Sequence, residues 1–145
     1  MGELVVEKIE NGTVIDHIPG GMGAKVLAIL GAGEGMKTAL LMNVRSKTGG
    51  KKDILKISDK QLTAKEVSKI SLVAPNATLN IIKNSNVSEK KSVHPPDELV
   101  GVAKCPNPKC ITNTNEKVDT RFIRESSKFR CAYCEMPFDA KELVI

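Results

Sequence analysis

Apolar and polar positions fall into short blocks whose spacing changes along the chain. Leu4 to Ile9 is apolar and β-branched and reads as a strand, Asn11-Gly12 as a hairpin turn, and Thr13 to Ile18 as the returning strand, ended by Pro19-Gly20-Gly21. Ala24 to Leu30 has helical apolar spacing and is stopped by glycines at 31, 33 and 35. Leu40 to Val44 and Ile54 to Ile57 read as strands joined by a basic turn at Gly49-Gly50. Thr63-Ala-Lys-Glu66 is a capping box that opens a helix. Its Val67, Ile70 and Ala74 share a face, and it must end before Pro75. Thr78 to Ile82 is a further strand, and Val87 to Val93 a last one. Strands interleaved with two helices predict an α+β fold, a ferredoxin-like βαββαβ-type sandwich.

The pattern then breaks. Asn84 to Lys91 is polar, and Val93-His94-Pro95-Pro96-Asp97 can neither extend a ladder nor continue a helix. This predicts one domain over residues 1–97 and a second over 98–145. Composition supports the division: all four cysteines and all four aromatics (Phe122, Phe129, Tyr133 and Phe138) lie beyond it. A core in the first domain must therefore be aliphatic, and any site there must work without aromatic stacking.

Cys105-x4-Cys110 and Cys131-x2-Cys134 are two close pairs of soft donors, an arrangement that predicts two knuckle-like turns around one tetrahedral zinc ion. A small all-β, zinc-ribbon-like domain follows, with Phe122, Phe129, Tyr133, Phe138, Val118, Ile123 and Leu143 packed beside the metal. So short a segment buries too little apolar surface to fold alone, and metal binding of roughly 10–16 kcal/mol supplies the deficit. Four thiolates leave no open position for water, so the ion is expected to be structural. Disulfides and a thioredoxin-type role for Cys131-Ala-Tyr-Cys134 are disfavoured, because nothing exports the chain and no βαβ unit surrounds the pair.

Charge narrows the function. The net value is +5, and the excess lies mostly before residue 98, densest where Arg45, Lys47, Lys51, Lys52 and Lys56 face one acid, Asp53. This suits a small phosphate ligand better than long nucleic acid, which needs a clearly basic stripe. The second domain carries eight bases and seven acids, and zinc with four thiolates adds a formal −2. That favours protein docking, with a zinc-ribbon nucleic-acid-binding protein as the alternative. Gly31-Ala-Gly33-Glu-Gly35-Met-Lys37-Thr38 is not a phosphate loop, because Met36 stands where glycine must precede Lys-Thr. His17 follows Asp16 on a strand, where neighbours point to opposite faces, and His94 sits in the proline linker. No nucleophile or paired carboxylate is placed for chemistry, so a non-enzyme is expected. The longest apolar stretch, Val26 to Gly33, is far short of the roughly 20 residues that span a bilayer, and a cytoplasmic protein without membrane contact is expected.

Several segments in order, Gly12-Thr-Val-Ile-Asp-His-Ile-Pro19, Lys52-Asp-Ile-Leu-Lys-Ile57, Ala74-Pro-Asn-Ala-Thr78 with Asn80, and Cys105-Pro-Asn with Cys110-Ile and Cys131-Ala-Tyr-Cys134-Glu135, resemble the regulatory chain of aspartate carbamoyltransferase. The resemblance covers nearly the whole chain. It implies a non-catalytic allosteric subunit of pyrimidine biosynthesis that binds CTP or ATP on its first domain and docks on catalytic chains through its zinc domain. It further implies homodimers within a dodecamer of six catalytic and six regulatory chains. Carried across, the nucleotide site comprises Val6, Glu7, Lys8, Ile9, Asp16, His17, Lys52, Ile54, Lys56, Asn80, Ile82, Val87 and Lys90, and the partner interface Asn107, Lys109 and Glu135. Ser85 stands where the family pattern carries a tyrosine near the base. The residues themselves fit these roles: Ile9, Ile54, Ile82 and Val87 would hold a base, while Lys52, Lys56 and Lys90 would take ribose and phosphates.

Overall fold

A computed structural model describes residues 8–31, 35–114 and 118–145. Its first unit runs β1 (Gly12–Pro19), α1 (Gly23–Ile29), β2 (Thr38–Arg45), β3 (Lys51–Ser58), α2 (Ala64–Val73), β4 (Thr78–Lys83) and β5 (Asn86–Ser92). The strands form one antiparallel sheet in the order β2-β3-β1-β4-β5. β1 to β4 with the two helices make the expected βαββαβ sandwich, and β5 extends it at one edge. The helices pack on the face formed by Ile15, Ile18, Leu55, Ile57 and Leu79, with Val26, Leu30, Ile70 and Ala74 as their contribution to an aliphatic core.

Both helix boundaries follow from their sequence. Gly31 adopts φ +60 just past α1. In α2 the Thr63 hydroxyl accepts from the Glu66 amide at 3.1 Å while the Glu66 carboxylate accepts from the Thr63 amide at 2.9 Å. Thr63→Ala is expected to lower the stability of this unit by about 1 kcal/mol, read as a shift in its thermal midpoint.

Two readings change. Glu10 and Asn11 form a bend running straight into β1, which begins at Gly12, and the strand expected over Leu4 to Ile9 falls mostly outside the described residues. Gly12 is required here by φ +145 and because a Cβ would lie 2.1 Å from the Ile57 carbonyl oxygen. The alternation expected across Asp16 and His17 is also broken. A bulge interrupts β1 between Ile15 and Ile18, with His17 at φ 59. Ile15 and Ile18 both point inward, so Asp16 and His17 share the outer side, and the His17 ring reaches Thr78, the register partner of Asp16.

The second unit is an antiparallel meander of β6 (Glu98–Val100), β7 (Arg121–Glu125), β8 (Lys128–Cys131) and β9 (Pro137–Asp139). Phe122, Phe129, Phe138, Leu99 and Leu143 form its core with the cysteines. Tyr133 does not join them: it is 45% exposed, because its position in the Cys131–Cys134 turn points it away from the sheet. Leu72 of α2 is buried in this second core while Ile70 and Ala74 serve the first, so one helix is built into both units.

Candidate functional site

The four cysteines come together from two loops. Cys105 and Cys110 flank a tight turn in which the Cys110 amide donates to the Asn107 carbonyl at 3.0 Å and the Lys109 amide to the Asn107 side-chain oxygen at 3.1 Å. Cys131 and Cys134 sit at the end of β8, where the Glu135 amide donates to the Cys131 carbonyl at 2.9 Å and Glu135 takes φ 62. All four Sγ atoms lie within 4.8 Å of one another. The pairs crossing between the loops, Cys105 with Cys134 and Cys110 with Cys131, are 3.8 and 3.7 Å apart. A tetrahedron with Zn–S bonds of about 2.3 Å has edges of about 3.8 Å, so the cradle fits zinc; a covalent S–S bond of about 2.05 Å is far shorter.

Burial and hydrogen bonds act unevenly on the thiols. Burial pushes the Cys105 thiol up to about 12. Burial acts the same way on Cys110, but hydrogen bonds from the Thr112 hydroxyl and amide outweigh it and bring that thiol to about 7. Four thiolates this close need a dication between them. The Asn113 side-chain amide donates to the carbonyls of Cys105 and Asn107, at 2.7 Å each, tying the first knuckle. Nothing in the spacing of the cysteines marked Thr112 or Asn113.

The outer face of the first sheet carries no described helix. Along β3, Lys52, Ile54 and Lys56 point outward between the buried Asp53, Leu55 and Ile57. Register places Lys56 beside Val14, Val14 beside Asn80, and Asn80 beside Lys90, one row across four strands. The Lys52 ammonium pairs with the Asp16 carboxylate at 3.0 Å. Burial works to raise the Asp16 pKa, but Lys52 and the His17 amide hold it below the usual carboxylate range. Lys56 and Lys90 make no ion pair or hydrogen bond among the described residues.

The other expected ligand residues are more dispersed. Val87 is 59% exposed opposite Ile82, whose own side chain is buried. Lys8 is exposed and Ile9 half-buried in the segment before β1, which is tied to the β4–β5 turn by the Ser85 amide donating to the Glu10 carbonyl at 2.8 Å. Val6 and Glu7 lie outside the described residues. Of the interface residues, Lys109 and Glu135 are exposed and Asn107 is half-buried by its role in the knuckle.

Asp53, read from sequence as one acid within a basic run, is 0% exposed beneath this face. Its Oδ2 accepts from the amides of Gly21 at 2.9 Å and Gly23 at 2.7 Å, and its Oδ1 from the Asn43 amide at 2.7 Å. It thus ties the end of β1 and the start of α1 to the bulge in β2. Gly23 is needed because a Cβ would come within 2.9 Å of Oδ2. With Asp53 turned inward, the basic run meets solvent without its only acid.

A family model described as aspartate carbamoyltransferase regulatory chain, allosteric domain, matches residues 4–94, and one described as the metal binding domain of that chain matches residues 97–144. The chain belongs to the aspartate carbamoyltransferase regulatory chain family. Its members are regulatory chains rather than catalytic subunits. An aspartate carbamoyltransferase regulatory chain of Saccharolobus solfataricus is 52% identical over 139 residues, covering 92% of this chain and 87% of the relative. One from Methanocorpusculum labreanum is 51% identical over 134 residues, 91% and 86% of the two chains. One from Saccharolobus islandicus is 47% identical over 147 residues, 98% and 92% of the two. The metal-binding module of the family coincides with the four-cysteine cradle, whose geometry suits a structural zinc. No helix among the described residues is long and apolar enough to cross a membrane.

Proposed function

We propose that residues 1–97 bind a nucleotide effector, CTP or ATP, on the outer sheet face, and that residues 98–145 dock on the catalytic chain of aspartate carbamoyltransferase. The observation that carries the effector reading is the row Lys56–Val14–Asn80–Lys90, with two ammonium groups at its ends that pair with no described residue and the Asp16–Lys52 pair beside it. A nucleotide laid along that row would set its phosphates against Lys56, Lys90 and Lys52, its base against Ile54 and Val87, and its polar edges against Asn80, Asp16 and His17. Ile82 would back this surface from beneath, and Lys8 and Ile9, with Val6 and Glu7, would border it.

Docking is supported by the second unit's surface. Ile111, Tyr133 and Met136 are exposed apolar side chains in the two knuckle segments that also hold Asn107, Lys109 and Glu135. The cations of the meander are meanwhile neutralised locally, Arg121 by Glu98, Arg124 by Asp97 and Arg130 by Glu125. That pairing disfavours nucleic acid, which would have to displace these acids. Regulation then follows as a population shift: a nucleotide that binds one quaternary state better biases the catalytic partner toward it. α2, shared by both cores, is the element through which the two units would feel each other. Assembly is as homodimers within a dodecamer of six catalytic and six regulatory chains, in the cytoplasm.

The test is calorimetric titration of the zinc-loaded chain with CTP and with ATP, alongside Lys56→Ala. A lost charged hydrogen bond of about 1.5–3 kcal/mol predicts affinity weaker by about tenfold to a hundredfold, with an unchanged thermal midpoint. Unaltered affinity in the variant would remove Lys56 from the phosphate site.

A further inference from the structure

A cleft of about 440 Å³ lies where α1 and α2 meet the C-terminal segment of the second unit. It is walled by Ala28 and Ile29 of α1 and by Leu143 and Val144, and two lysines from different helices, Lys25 and Lys69, also line it. A smaller hollow beside it shares Lys25, Leu143 and Ile145 and adds Lys141. None of the three ammonium groups makes an ion pair or hydrogen bond among the described residues. Among the described residues no acidic side chain lines either hollow. The acids nearest in sequence are engaged elsewhere: Glu66 pairs with Lys60 at 3.2 Å, and Glu142 accepts from the Asp139 amide at 2.9 Å.

We propose that this cleft binds a small organic anion, one carboxylate or phosphate group on an aliphatic body, and that the ligand bridges the two units. Its volume lies in the range of about 300–1,000 Å³ usual for ligand pockets, which favour junctions between domains. The aliphatic walls, drawn from both units, would desolvate the body of the ligand, and the two lysines of the cleft, with Lys141 in the adjoining hollow, select a negative head group over a neutral one. Inorganic phosphate alone would leave the walls wet, and a neutral alcohol would leave the lysines unpaired. The site lies on the helical side of the sheet, opposite Lys52 and Lys56, so it is separate from the outer-face row.

The experiment is titration of the zinc-loaded full chain with octanoate and octyl phosphate, followed by amide chemical shifts, with inorganic phosphate and octanol as the separated halves. Saturable binding of either amphiphile is expected, with shifts at Lys25 to Ile29 and Leu143 to Ile145. Each half should bind at least tenfold more weakly. The double variant Lys25→Gln, Lys69→Gln should weaken the amphiphile at least tenfold while leaving CTP or ATP titrations as they were. Ala28→Glu, which adds a negative wall from an exposed helix position, should do the same if the lysine variant loses its fold. Failure of both amphiphiles to bind, equal binding by either half, or full affinity in the folded variants would overturn the proposal.

Discussion

Cys131→Ser is expected to release the zinc and unfold residues 98–145 while the first sheet stays intact. Cys131 is 0% exposed and is covered by the meander's own core, so a serine there leaves a hard oxygen where the ion needs a soft donor. The metal contributes about 10–16 kcal/mol to modules of this kind, at least as much as burying three phenylalanines and two leucines at about 1.5–3 kcal/mol each, and the ordering of the chain has still to be offset. The chain offers its own reporter: every aromatic residue lies at or after position 122. Ring resonances of Phe122, Phe129 and Phe138 should collapse to unfolded shifts, and metal analysis should find no retained zinc. Methyl signals of Ile15 and Leu55 should keep their dispersion. Association with catalytic chains should disappear together with the metal; assembly at normal affinity would place the docking surface outside the zinc unit. A strong chelator should reproduce the effect in the unmodified chain.

Asp53→Asn should act on the other unit. Three backbone amides converge on the carboxylate at zero exposure, and an asparagine presents an NH2 group to at least one of them. A buried donor left unpaired costs about 1–3 kcal/mol, and hydrogen bonds to a charged acceptor contribute about 1.5–3 each. A loss of about 3 kcal/mol is expected, a drop of about 10–20 °C in the midpoint of a unit this size, with the aromatic signals of the zinc module unchanged. The wild-type chain carries a matching pH signature. Burial works to raise the Asp53 pKa, but the three amides prevail and hold it below the usual carboxylate value. A carboxyl whose folded pKa lies below its unfolded value stabilises the fold fully above the unfolded value, about 4, and the contribution is lost as pH falls through the folded one. Stability of the first unit should therefore be flat in this respect from neutrality to about pH 5 and decline below about pH 4. Asp53→Asn should flatten that decline. A variant as stable as wild type, with the same acid limb, would mean that the amides find other acceptors.

Much of this organisation could be read from residue order, because it rests on local chemistry. The capping box at Thr63 and Glu66, the basic turn at Gly49-Gly50 and the break at Pro95-Pro96 each act within a few residues. The cysteines were legible for a related reason: four soft donors in two close pairs leave few solutions besides a tetrahedral ion. The resemblance, carried by motifs in several separate segments, went further and named the family.

Asp53 was misplaced in that reading because its neighbours Lys51, Lys52 and Lys56 made it look like one more surface charge. Its period-two position between the outward Lys52 and Ile54 was the available signal, since the same alternation buries Leu55 and Ile57. Asp16 and His17 were assigned to opposite faces because alternation holds only in an unbroken strand. Ile15 and Ile18, three apart and both apolar, carried the hint of the bulge that brings the pair to one side.

The sequence alone thus determined what depends on spacing and valence: the βαββαβ order, the metal ligands, the aliphatic character of one core and the aromatic character of the other. Only the tertiary structure decided which groups share a surface. Lys56, Asn80 and Lys90 are far apart in the chain and align only through antiparallel register, and Lys25 and Lys69 meet Leu143 and Val144 around one cleft only because α2 is packed into both cores. Register and docking are long-range choices, made by burying the most apolar surface at once, and no window of neighbouring residues contains them.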